Sequence, residues 1–244
     1  MGKTLLWLLA ALLGLLLACI ALFAISALLV DKRREYDKNS PFYRFLLNTA
    51  TGFCVKLLGI HIKVTGLETL PGEGRFLLVS NHRSNFDPIL TWHVLKDADL
   101  AFISKGENFH IPIFGRIIRR CCFLEIDREN PRSALTTINK AAKLLEDGQV
   151  SIGVYPEGTR SKDCILLPFH NGVFKIAQKA EVPVVVACIQ GTENIHKNWF
   201  RRPSQVQLDI LDVLPASFVK ENRTCVIGQR VSDTLRGALE EKKG

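Results

Sequence analysis

The sequence lacks most of what metal, redox or disulfide chemistry needs. Its seven cysteines are an odd number, and no Cys-x-x-Cys pair or zinc-like Cys/His spacing occurs. Cys121 and Cys122 are adjacent and Cys19 sits in an apolar run, so the thiols read as small buried residues in a reduced compartment. There is no Gly-x-Ser-x-Gly elbow, which argues against an α/β-hydrolase nucleophile. No Gly-x-x-x-x-Gly-Lys-[Ser/Thr] loop is present, which argues against a Walker-type nucleotide site. Repeats and long low-complexity linkers are missing too, as is any basic groove interleaved with aromatics, so nucleic acid is not an expected partner. Acidic residues are outnumbered, 24 against 32 Lys+Arg, for a net charge of +8; that balance points to anionic partners such as membrane surfaces and phosphate esters. With 47% hydrophobic residues among 244, the chain has ample material for a buried core, and disorder is excluded.

Charge is also absent from one long stretch, Thr4 to Val30, which exceeds the ~20 residues that cross a bilayer as a helix. A secretory leader is the competing reading, but its apolar core ordinarily runs only about 7–15 residues. Lys3 precedes the stretch, and Lys32, Arg33, Arg34 and Lys38 follow it. The positive-inside rule then places everything after Val30 in the cytoplasm, behind a single N-terminal anchor. The next segment, Pro41 to Leu58, mixes Phe42, Phe45, Leu46, Phe53 and Leu57 with Arg44 and Lys56. It is read either as a second helix lying along the interface or as a packing helix. Residues 1–58 are thus expected to anchor and residues 59–244 to form the working domain.

In that domain, apolar runs alternate with helical ones. Residues 75–80, 100–104, 121–126, 149–155 and 182–189 read as strands, most of them apolar throughout, as strands covered on both faces are. Val206, Leu208, Ile210 and Val213 suggest a later strand at an edge. The clearest helix runs from Pro131 to Asp147, with Asn130 as cap, Pro131 in the first turn and Gly148 ending it. A shorter one covers Asn171 to Ala180. The alternation predicts an α/β fold with a largely parallel sheet flanked by helices.

Chemistry-bearing residues fall where the predicted strands end. Asn81-His82 follows one, Lys105 the next, Asp127-Arg128 the third, and Pro156-Glu157-Gly158-Thr159-Arg160 the fourth. In a parallel sheet, those ends share one edge, where ligands bind. The spacing of His82 and Asp87 alone decides nothing, since six histidines and 24 acids make one such pair by chance close to an even bet. A continuous helix would separate the two side chains by about 140°. Asp87-Pro88, however, reads as a cap followed by a first-turn proline, which leaves Arg83 to Phe86 as a turn able to bring carboxylate and imidazole together. A histidine held by a carboxylate is a general base; the plainer alternative is a capping Asp87 and a solvent-facing His82. Ser84 is either a nucleophile or a hydrogen-bonding turn residue. Glycine, threonine and arginine at 158–160 suit the approach of a phosphate. Arg116, Arg119 and Arg120 are read as a solvated face, or as lining a substrate path or touching headgroups.

Residues 81–87, Asn-His-Arg-Ser-Asn-Phe-Asp, resemble the Asn-His-x-Ser-x-x-Asp motif of membrane glycerolipid acyltransferases, specifically the 1-acyl-sn-glycerol-3-phosphate (lysophosphatidic acid) acyltransferases. Residues 155–161, Tyr-Pro-Glu-Gly-Thr-Arg-Ser, resemble that family's Phe-Pro-Glu-Gly-Thr-Arg-Ser motif. Residues 115–128 and Val182-Pro183-Val184 are similar to its second and fourth motifs. Tyr155 replaces the commoner phenylalanine, and the family often has a basic residue where His170 stands. The resemblance implies that His82 deprotonates the free hydroxyl of a lysophospholipid while Asp87 orients it. It further implies that Lys105, Arg128, Glu157, Gly158, Thr159 and Arg160 serve the acceptor phosphate, with Glu157 orienting the loop or a glycerol hydroxyl. Val182, Pro183 and Val184 would shape the acyl site. The implied partners are the lipid bilayer, lysophosphatidic acid, and acyl-CoA or acyl-carrier protein as co-substrate, with no metal and no bound cofactor. Two rivals stay open: transfer to another lysophospholipid, and a non-catalytic lipid-binding protein of the same fold.

Overall fold

The computed structural model describes residues 2–199 and 201–240; residues 1, 200 and 241–244 of the two expected segments lie outside them. Helix α1 (Gly2–Leu28) is apolar all round and long enough to cross a bilayer. Its side chains are exposed from Lys3 to Leu22, and only its last turns pack on the body. Helix α2 (Pro41–Leu57) starts on a proline, whose missing N–H costs nothing in a first turn. It combines both expected roles. Arg44, Leu47 and Val55 are buried against the body, while Phe42, Phe45, Phe53 and Leu57 are exposed.

The body follows as β1 (Ile60–Thr65), β2 (Leu77–Ser80), α3 (Asp87–Val94), β3 (Leu100–Lys105), α4 (Gly106–His110), α5 (Phe114–Arg120), β4 (Leu124–Ile126) and α6 (Pro131–Glu146). Then come β5 (Ser151–Val154), α7 (Lys175–Ala180), β6 (Val184–Gln190), α8 (Ile195–Asn198), β7 (Ser204–Leu214), α9 (Ala216–Glu221) and α10 (Thr224–Glu240). The seven strands form one sheet in the order β1-β7-β6-β2-β5-β3-β4. Strands β2 to β6 run the same way; β7 is antiparallel to β6, and β1 is parallel to β7.

Two expectations are corrected here. Residues 204–214 do not form an edge strand but lie between β1 and β6, and the edge is β1, which the sequence reading left out. Asp87 does not cap its helix: Phe86 holds the cap position and Asp87 begins the helix, its carboxylate turned back toward the preceding turn. By contrast, α6 begins as expected, with the Asn130 side chain accepting from the amides of Arg132 and Ser133.

Alternation along the strands divides the core in two. Leu77, Val79, Ile152 and Val186 face α6, α7 and α10, whereas Leu78, Phe102, Val185 and Ala187 face α2, α3 and α5. The arginines of α5 are joints rather than a solvated face. Arg116 donates to the carbonyls of Leu28 and Val30 (3.3 and 3.1 Å), satisfying acceptors that a helix end leaves orphaned. Arg120 lies over the rings of Tyr36 and Tyr43, and Arg119 over Phe109. Tyr43 completes the joint by donating its hydroxyl to the Ser26 carbonyl at 2.9 Å.

Candidate active site

Strand β2 delivers Ser80, Asn81 and His82 to the carboxyl edge of the sheet. Residues 83–86 turn there, and Ser84 Oγ accepts from the Phe86 amide at 3.2 Å, the turn-stabilising role among the two expected of it. The turn reverses the chain so that Asp87 Oδ2 meets His82 Nδ1 at 2.7 Å. The same oxygen accepts from the amides of Arg83 (2.6 Å) and Ser84 (2.8 Å). Oδ1 accepts from the Thr192 hydroxyl at 2.5 Å. Asp87 is wholly buried, and these four donors are what a buried carboxylate requires. Assigned from this network, the imidazole carries its proton on Nδ1 and keeps a lone pair on Nε2.

The Tyr155 ring stacks on His82 at 4.2 Å and on Phe102 at 5.9 Å. Burial, reinforced by the Asp87 charge, pushes its phenol well above the ordinary range, so it stays neutral and packs the imidazole from one side. Beyond Tyr155 the chain makes a tight turn in which Gly158 has φ of 71°, a conformation glycine adopts without strain. A Cβ at Gly158 would stand 2.9 Å from His170 Cδ2 and 3.8 Å from Arg128 Nη1, so this loop, Arg128 and His170 adjoin. The Ser161 amide donates to the His82 carbonyl at 2.9 Å, drawing Arg160 to the same place.

His82, Lys105, Arg128, Gly158, Thr159 and Arg160 all line one groove of about 540 Å³, a volume typical of small-molecule sites. Its remaining wall is largely apolar, with Leu47, Ile89, Trp92, Phe102, Ile118 and Phe123. Lys105, Arg128 and Arg160 make no hydrogen bond or ion pair among the described residues. Partial burial draws the Arg128 guanidinium pKa below its ordinary value, as expected of a cation without a counter-charge.

Two expectations for site residues are corrected. Glu157 does not line the groove. It is 4% exposed, and its two oxygens accept from the amides of His82 (2.7 Å) and Leu167 (2.9 Å). Burial raises its pKa against the opposing pull of those two bonds. With both oxygens so committed it does not reach a phosphate in the groove; it orients the loop, one of the two further roles expected of it. Val182, Pro183 and Val184 are not groove residues either. They stand at the opposite edge of the sheet, where the Pro183 carbonyl accepts from the Leu77 amide and Val184 is fully buried. Their apolar character serves the core.

Thr192 was missed because no motif marks it. The available signal was positional: Gly191-Thr192 follows the apolar run ending at Gln190, making a fifth strand end at the same edge. Asn81 takes a structural role: its amide accepts from and donates to the Ile189 backbone, both at 2.9 Å, tying β2 to the end of β6.

The His82–Asp87 pair and the unpaired cations thus share one largely apolar groove, and comparison with known proteins places the chain in a family. The Acyltransferase family model matches residues 61–190, and the chain belongs to that family. Its relatives include a 1-acyl-sn-glycerol-3-phosphate acyltransferase of Limnanthes douglasii, 31% identical over 61% of this chain and 50% of the relative. The enzyme of that name from Escherichia coli K12 is 29% identical over 59% of this chain and 58% of the relative. The crystal structure of the 1-acyl-sn-glycerophosphate (LPA) acyltransferase PlsC from Thermotoga maritima superposes with a TM-score of 0.69 at 28% identity, covering 82% of this chain and 80% of that one. The matched region spans about half to two thirds of the length of the curated relatives.

Proposed function

We propose that this chain is a 1-acyl-sn-glycerol-3-phosphate O-acyltransferase that makes phosphatidic acid. The observation that carries the reading is the His82–Asp87 pair, at 2.7 Å, opening on the groove that holds Lys105, Arg128 and Arg160. His82 Nε2 takes the proton of the acceptor hydroxyl as that oxygen attacks the thioester carbonyl. The carbon–sulfur bond breaks, and the departing thiolate takes the proton back from the imidazolium. Asp87 fixes the ring tautomer and stabilises the transient cation. Lys105, Arg128 and Arg160 hold the acceptor phosphate, Arg by its planar fork and Lys as a point charge, while Gly158 and Thr159 let it approach the backbone. The apolar wall accommodates acyl chain. The chemistry uses side chains and a thioester co-substrate, either acyl-CoA or acyl-carrier protein. Helix α1 anchors the enzyme, and the cations after Val30 place the catalytic body on the cytoplasmic side.

The test is an assay of purified protein in phospholipid vesicles, with both donor types and a panel of acceptors. Phosphatidic acid from lysophosphatidic acid is the expected product, with a phosphate-free monoacylglycerol used poorly. Acylation of some other lysophospholipid in preference would reassign the substrate. Absence of transfer to every acceptor, with lipid binding intact, would leave a non-catalytic lipid-binding protein.

A further inference from the structure

The two oxygens of Asp87 are held in different ways. Oδ2 receives only groups of its own turn, the His82 ring and the amides of Arg83 and Ser84. Oδ1 receives the Thr192 hydroxyl, which comes from the loop after β6, the strand paired with β2, 105 residues along the chain. Both side chains are 0% exposed, so solvent does not compete for that bond.

The placement of Thr192 is built into the backbone. It opens the 3₁₀ turn Thr192–Asn194 directly after β6. Gly191 before it has φ of 87°, and a Cβ there would come 2.3 Å from the Gln205 carbonyl oxygen, so only glycine allows this reversal. Asn81 pins the end of β6 through Ile189. On the other side of the same loop, Glu193 stands 3.9 Å from Arg83. The loop after β6 is therefore clamped to the His82–Asp87 turn at several points, with Thr192 the one that reaches the carboxylate.

A carboxylate gripped at one oxygen can swing about its Cβ–Cγ bond, carrying the imidazole with it. Gripping the second oxygen fixes its plane and so the direction of Nε2, the atom that must meet the acceptor hydroxyl. We propose that Thr192 is a positioning residue for acyl transfer, its hydroxyl locking the Asp87 carboxylate that orients His82. The inference rests on the acyl-transfer reading above.

Thr192→Val keeps the branched shape and deletes the hydroxyl; Thr192→Ser keeps the hydroxyl. With vesicle-reconstituted protein, the valine variant should lose about 10- to 100-fold in kcat, with KM for both substrates within about twofold. The serine variant should recover most of that loss. In ¹⁵N-histidine spectra, the His82 Nδ1 proton, assigned by its disappearance in His82→Gln, should shift or broaden in the valine variant and hold in the serine variant. If the valine variant does not fold, Thr192→Ala against Thr192→Ser supplies the same comparison. An equal loss in the serine variant, or an unmoved resonance in a folded valine variant, overturns the proposal. A wild-type protein that acylates no lysophospholipid while its resonance responds as expected would sink the acyl-transfer reading and leave the Thr192–Asp87–His82 linkage standing.

Discussion

The two edges of the sheet are built from the same strands, yet they handle charge in opposite ways. At the amino-terminal edge, Arg75 and Arg44 are spent on structure. Arg75 donates to the carbonyls of Gly148 and Ala98 and pairs with Asp99 at 3.1 Å. The buried Arg44 donates to the Leu100 carbonyl, pairs with the same Asp99 and lies over Trp92 at 4.6 Å. At the carboxyl-terminal edge, Lys105, Arg128 and Arg160 line the groove without a protein partner among the described residues. The buried acids there are already used, Asp87 by four donors and Glu157 by two. Unpaired cations beside acids that are already used leave positive charge open to the groove, which is what the proposed phosphate contact requires. Paired cations form a seam. The difference lies in which carbonyls and carboxylates the fold brings within reach, not in how many arginines an edge contains.

This contrast can be broken or sharpened by substitution, and the largest effect is expected at His82. His82→Ala should lower kcat by at least ~100-fold with unfolding unchanged, since it removes the base and leaves the seam alone; activity within a fewfold of wild type would remove the site. Arg160→Ala should weaken use of lysophosphatidic acid by about 10- to 100-fold, the value of a hydrogen bond to a charged group. A phosphate-free acceptor should be affected far less, and equal losses on both acceptors would show that the arginine is structural after all. Across the sheet, Arg75→Met should cost about 1–2 kcal/mol of stability, read from thermal unfolding in detergent, with the acceptor preference intact. Val184→Ala should cost about 2 kcal/mol and leave acyl chain preference where it was. A changed preference would return residues 182–184 to the acyl site. Ser84→Ala should have the smallest effect, staying within a fewfold of wild-type turnover, and a trapped acyl group on Ser84 would replace direct transfer by a two-step scheme.

Local patterns made much of this molecule legible. Helix α6 carries its start and stop in Asn130, Pro131 and Gly148, and its capping bonds form as those residues require. The apolar runs of β2, β3, β5 and β6 announce strands covered on both faces, and the polar residues after them mark the edge where the groove lies. Strand β7 was misplaced because Val206, Leu208 and Ile210 alternate with Gln205, Gln207 and Asp209, the pattern of a half-exposed strand. Pairing with β1 on one side and β6 on the other makes it internal, and Asp209 is buried with the Thr65 hydroxyl as partner. The same limit misjudged residues 182–184, whose apolar character suits an acyl site as well as a core.

What the sequence by itself determined is the set of local choices: an apolar helix at the amino end, the αβ alternation, a turn between His82 and Asp87, and cations after strand ends. These follow from short-range sterics, capping and hydrophobic periodicity. Tertiary structure alone decided the long-range partnerships. It turned Arg116 of α5 into a fastener for α1, committed Glu157 to backbone amides, and brought Thr192 against Asp87 across 105 residues of chain. Such pairings depend on which strand ends share an edge and which buried groups must satisfy one another, and no window of neighbouring residues contains that information.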